Sequence, residues 1–235
     1  MISLLGEYLR DFTYFIYPSV CVGCGKVLSR NENVFCTYCV HELSKTDFHL
    51  HRENAFYKRM WGRLEIQHAL SFLYHEKGNK TQSLLHELKY RDKTQAGVSV
   101  GMWYGTVLKE MNHPVCKADI ILPIPLHAKK KQKRGYNQSD YLAEGLAESL
   151  GIEWRSDVLE RVTETISQTR KNKYERWENV QNIFRVKRPA AIKGKHVVLV
   201  DDVVTTGSTL EVCGKELLSA SAGSLSLLTI ASARL

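Results

Sequence analysis

The chain has 235 residues, enough for one α/β domain with a small accessory module. Its 43% hydrophobic and 25% charged residues exclude a disordered chain, and no apolar run approaches the roughly 18 to 20 residues that a membrane span needs. A net charge of +8 points to an anionic partner, either a phosphorylated small molecule, a nucleic acid or both.

The first 18 residues carry Ile2, Leu5, Leu9, Phe12 and Ile16 at helical spacing. Glu7, Arg10 and Asp11 interrupt the stretch and no basic segment precedes it, so an amphipathic helix is expected rather than a signal peptide. The expected compartment is then the reducing cytoplasm, where disulfides are not expected among the six cysteines.

Four cysteines follow as two C-x-x-C pairs, Cys21 with Cys24 and Cys36 with Cys39. Each pair can place two sulfurs on one metal, and two such knuckles close a tetrahedral four-thiolate site. Gly23 and Gly25 suit the tight turn of the first knuckle. Structural zinc (Zn²⁺) is the expected occupant, with an iron–sulfur cluster or four unligated thiols as the alternatives; His41 is a surplus ligand. Residues 1–45 are read as this N-terminal helix and module, and residues 46–235 as the main domain.

A mixed region comes next. Residues 69–74 (ALSFLY) read as a strand, 81–90 as a helix with Leu84, Leu85 and Leu88 on one face, and 96–111 as a second helix. From residue 119 the pattern is α/β. Residues 120–124 form a buried strand punctuated by Pro123 and Pro125. Residues 127–136, with Lys129, Lys130, Lys131, Lys133 and Arg134, read as a basic loop that is either solvated or in contact with phosphates. A helix over 137–150 is closed by Gly151, residues 196–200 are a second buried strand, 208–219 a helix and 225–231 a last strand. Alternating strands and helices argue for a mainly parallel sheet with crossover helices.

The central motif is VVLVDDVVTTGST, residues 197–209. Two carboxylates, Asp201 and Asp202, stand at the carboxyl end of an apolar strand, where open α/β sheets bind ligands. Gly207 permits close backbone approach, and the turn into a helix offers N–H groups to an anion. Thr205, Thr206, Ser208 and Thr209 add hydroxyl donors. The aspartates suit sugar hydroxyls and Mg²⁺ instead. One end takes phosphate and the other a diol, which describes a ribose 5-phosphate. Neither a P-loop nor a dinucleotide fingerprint is present.

This string resembles the motif by which type I phosphoribosyltransferases bind 5-phosphoribosyl-1-pyrophosphate (PRPP). ILPIPLH (121–127), RGYNQ (134–138), HELKY (86–90) and the terminal ASAR look like the ComF/GntX family of competence-related proteins. So does the spaced set Arg161, Thr165, Gln168, Arg176, Asn179, Val180 and Phe184, which is a polar structural network or a ligand contact. The four-cysteine module sits where that family often carries a zinc ribbon. The resemblance implies a type I phosphoribosyltransferase-like parallel sheet with helices on both faces. It implies PRPP binding with Mg²⁺ and a role in natural transformation.

Asp201 and Asp202 would be the catalytic, ribose-contacting pair, and residues 205–209 the 5-phosphate cradle. The loop from Pro125 to His127 would face pyrophosphate, with Lys89 and Arg134 as cationic partners or surface charges. Three functions follow. One is a PRPP-binding protein of DNA uptake that holds single-stranded DNA through its basic run, with Tyr136, Tyr141, Trp154 and Trp177 as stacking rings or core residues, beside other transformation proteins. Another is an enzyme transferring phosphoribose to a nitrogenous base or amine. The third is a PRPP-sensing regulator with no DNA contact.

Overall fold

The computed structural model describes residues 18–89, 94–162 and 183–234. The expected N-terminal helix lies outside them, as do Tyr90, Thr165, Gln168, Arg176, Trp177, Asn179 and Val180.

Five strands form one parallel sheet. These are β1 (His68–His75), β2 (Ile120–Pro123), β3 (Glu153–Trp154), β6 (His196–Val204) and β7 (Ser224–Ala233), in the order β1-β7-β6-β2-β3. The three middle strands are near-continuous apolar runs because helices cover both faces. Ile120, Ile121, Leu122, Val197, Leu199, Leu227 and Leu228 are fully buried, each contributing about 1.5–3 kcal/mol of transfer free energy. Leu159–Arg161 (β4) and Phe184–Val186 (β5) make a separate antiparallel pair.

On one face lie α3 (Lys80–Glu87), α4 (Thr94–Glu110) and α6 (Gln138–Leu150). Helices α4 and α6 meet almost backbone to backbone: a Cβ on Gly145 would stand 2.0 Å from the Val98 carbonyl oxygen. The other face carries α2 (Ala55–Met60) and α7 (Ser208–Ser219). Asn54 fixes the start of α2. Its Nδ2 donates to the carbonyls of Phe48, His51 and Ala69, and its Oδ1 accepts from the Tyr57 N–H at 3.0 Å.

Among its described residues the cysteine module holds one short helix, α1 (Thr37–His41), and a bridge between Val20 and Val27. Its Leu28, Val34, Phe35 and Leu43 share a core with Leu84, Leu85 and Leu88 of the α3 region. Segment 44–46 caps the edge of β1 through Thr46 N–H to Phe72 O and Tyr74 N–H to Ser44 O.

Two expectations are corrected. The basic run is not a loop: Ala128–Arg134 is a helix, α5. Ala, Lys, Gln and Arg are strong helix formers, His127 Nδ1 accepts the Lys129 N–H at 3.2 Å, and Gly135 at φ +84° ends the helix. Strand β6 does not stop at Val200, because β7 keeps pairing with it through Asp201↔Thr229 and Val204↔Ser232.

Candidate functional site

Strand β6 carries Asp201 and Asp202 at the carboxyl edge of the sheet, both half-buried. The Asp201 carboxylate accepts from Ser139 Oγ at 3.2 Å and from the backbone N–H of Asp202 at 2.9 Å. Gln138 Nε2 donates to Asp202 Oδ2 at 3.4 Å. Both donors sit in the first turn of α6, whose positive dipole end favours carboxylates.

Burial, and after it the charge of Asp202, push the Asp201 carboxyl well above the usual carboxylate range. Burial raises Asp202 too, and the cations Lys89 and Arg134 partly offset that rise. The structure therefore brings together four predicted residues from three elements: Asp201, Asp202, Lys89 after α3 and Arg134 at the end of α5. His127 stands at the end of the β2 exit loop, which begins beside β6 where the Ile124 N–H bonds the Val200 carbonyl at 2.8 Å. One of its ring nitrogens is engaged as the α5 cap.

Thr205, Thr206, Ser208 and Thr209 are exposed, and Gly207 is buried between them at φ +77°. A Cβ there would meet Met60 Sδ at 2.8 Å, so both conformation and space demand glycine. Gly207 is also the N-cap of α7 and supplies no capping side chain. The Ser208 N–H points at Thr206 Oγ1 at 3.4 Å, and the next N–H groups of the helix are open to an anion. Thr206 Oγ1 and Ser208 Oγ lie 3.0 Å apart beside them.

The loop is braced from behind by α2, a support that sequence reasoning missed. Arg59 donates to the Thr205 carbonyl, and to that of Ala233 at 3.1 Å. Arg63 Nη1 donates to the Thr206 carbonyl at 2.7 Å, and its Nε and Nη2 grip Glu211 Oε2 at 2.9 and 2.6 Å. Ser139 was missed as well. Gln138 had a signal, since it closes the RGYNQ motif.

At the module, the four sulfurs of Cys21, Cys24, Cys36 and Cys39 lie within 4.8 Å of one another. A tetrahedral metal bound at about 2.3 Å sets its sulfurs about 3.8 Å apart, and Cys24 Sγ lies 3.7 Å from Cys36 Sγ. The Cys36 N–H points at Cys21 Sγ at 3.3 Å, and Lys80 Nζ at Cys39 Sγ at 3.0 Å. These donors temper thiolate charge. The cluster can hold one metal ion, and His41 is not part of it. No described helix is long and apolar enough to cross a membrane.

A phosphoribosyl transferase domain profile matches residues 142–234. The DNA utilization protein YhgH of Salmonella typhi is 34% identical over 129 residues, covering 54% of this chain and 56% of that protein. Competence protein F of Haemophilus influenzae is 36% identical over 107 residues, covering 44% and 45%. The chain spans about half the length of the curated relatives it matches. Among solved structures, a glutamine PRPP amidotransferase from B. subtilis aligns at 18% identity over 62% of this chain and 30% of that one, with a TM-score of 0.43. The domain match contains the acidic pair and the glycine loop, and over this part of its length the chain is similar to proteins named for competence and DNA utilization.

Proposed function

We propose that this protein binds PRPP with Mg²⁺ between the acidic pair and the 205–209 loop, holds one structural zinc ion, and acts in the cytoplasm in DNA uptake with single-stranded DNA as a partner. The observation that carries the reading is the pairing of opposites at one sheet edge. Half-buried Asp201 and Asp202 stand together with the cations Lys89 and Arg134 beside Asp202, and the glycine-started helix α7 begins at the next turn. Carboxylates take the ribose hydroxyls and Mg²⁺, the open N–H groups and hydroxyls of 205–209 take the 5-phosphate, and Lys89, Arg134 and the His127 loop take pyrophosphate. Supporting the wider role, the relatives are named for competence and DNA utilization. The four-sulfur geometry supports zinc, because every ligand position is filled by protein, as in structural sites.

Lys89 and Arg134 beside Asp202 also favour a second reading, turnover. A nitrogen nucleophile would displace pyrophosphate from the anomeric carbon, with these cations balancing the charge of the leaving group. Calorimetric titration of PRPP with Mg²⁺ tests binding; a folded protein that takes up no PRPP removes the reading. Pyrophosphate release that depends on one of a panel of bases marks an enzyme, and binding without release marks the non-catalytic role.

A further inference from the structure

Trp61 is 77% exposed, the largest apolar side chain left so open among the described residues. It follows α2 directly as the residue that ends the helix, and the half-buried Tyr57, which packs on the core from within α2, lines the same surface. Together with Arg63, Glu65 and Ile66 they line an open cavity of about 420 Å³. The Arg52 guanidinium lies 6.0 Å from the Tyr57 ring centre, and Lys58 is exposed on the same turn. Glu53 and Glu65 are the exposed acids nearby, against Arg52, Lys58, Arg59 and Arg63.

Three of the aromatics expected to stack bases, Tyr136, Tyr141 and Trp154, are engaged elsewhere; Trp177 lies outside the described residues. Tyr136 donates its hydroxyl to the Leu88 carbonyl at 2.9 Å and packs edge-on against Tyr141, and Trp154 is half-buried against the core. An indole held out from the surface, with cations beside it, is an arrangement that single strands use. Unpaired bases stack on the rings and phosphates meet the cations. A protein partner would require a contiguous apolar patch, and here Trp61 is surrounded by charge.

We infer that the surface around Trp61, at the end of α2, is a docking platform for single-stranded nucleic acid, with one base on the Trp61 indole and the backbone along Arg52 and Lys58. This rests on the reading of single-stranded DNA as a partner and supplies its contact surface. The platform is separate from the PRPP site yet adjoins it, because Met60 and Arg63 on either side of Trp61 touch Gly207 and the Thr206 carbonyl.

The test is fluorescence anisotropy of a labelled oligo-dT with the full chain at several salt concentrations, against a duplex of equal length. Trp61→Ala should weaken single-strand binding about 5- to 150-fold without changing the salt slope, as expected for lost stacking. Trp61→Phe should restore most of it. Arg52→Gln with Lys58→Gln should flatten the slope instead. Duplex binding should not respond to Trp61→Ala. Equal affinity of parent and Trp61→Ala for the single strand, or an equal loss on duplex, overturns the platform and leaves the DNA reading standing. A parent that binds no single strand overturns both.

Discussion

The cysteine module and the acidic site both crowd like groups together, and they differ in what makes that tolerable. The four thiols lie within one short stretch, Cys21 to Cys39, and their own spacing folds them onto one point. The two aspartates draw their partners from α3, α5 and α6, and their loop is braced by α2. The module is specified by local sequence, and its four sulfurs can hold a metal. The acidic site is specified by topology and preorganised by protein groups before any ligand arrives. The difference teaches that a site can be local in its motif and non-local in its support.

The sharpest way to break the comparison is Cys36→Ser. Metal binding in such modules contributes on the order of 10 kcal/mol, comparable to a domain's net stability. Elemental analysis should fall from about one zinc per chain to none, and hydrogen exchange should rise across residues 19–45. PRPP binding should persist, because Asp201 and Asp202 draw no support from the sulfurs. An intact zinc content would sink the four-thiolate site.

Next in size is Asp201→Asn or Asp202→Asn. Hydrogen bonds to a charged group contribute about 1.5–3 kcal/mol each, so PRPP affinity should fall about 10- to 150-fold in calorimetry. The apo fold should respond in the opposite sense. A carboxyl whose folded value is raised stabilises the fold fully below its unfolded value and loses that contribution as pH rises through the folded one. Parent stability should therefore drop between about pH 4 and about pH 8, and Asp201→Asn should melt above the parent at the alkaline end. Equal melting curves across that range would show that the pair is not held at a cost.

Arg63→Gln sharpens the non-local half. It removes the fork on Glu211 and the bond to the Thr206 carbonyl. A net contribution of about 0.5–1.5 kcal/mol for that loop bond predicts a PRPP affinity about 2- to 13-fold lower, with zinc content untouched. The smallest effect on either site belongs to Lys129, Lys130, Lys131 and Lys133. Replacing all four with Gln should leave zinc and PRPP binding unchanged and flatten only the salt dependence of single-strand binding. An unchanged slope would make α5 a solvated helix.

Much of this arrangement was legible in the sequence because it is local. An apolar run, two aspartates and TTGST are contiguous, and so are the cysteine knuckles. What stayed hidden depends on distant partners. Arg63 and Thr206 are 143 residues apart, and nothing around Arg59 or Arg63 marks them as braces. Ser139 lies one residue beyond a recognised motif. The density of charge in the basic run suggests a loop, although its lysines favour a helix once His127 and Gly135 cap it. Strand β6 was read short because aspartates suggest a strand end, whereas β7 continues to pair beside them.

The place of β7 in the sheet has a kinetic consequence. It lies between β1 and β6, so His68 finds its partner only at Ser226. Until residues 224–233 are in place, β1 has no parallel neighbour and β6 is paired only to β2. Pairing across such sequence distance slows folding relative to local contacts. During that interval two apolar strands expose unpaired edges, the surfaces on which intermediates aggregate. Refolding yield should accordingly fall with protein concentration, and a change that weakens the insertion of β7 should act on folding before it is felt at either site.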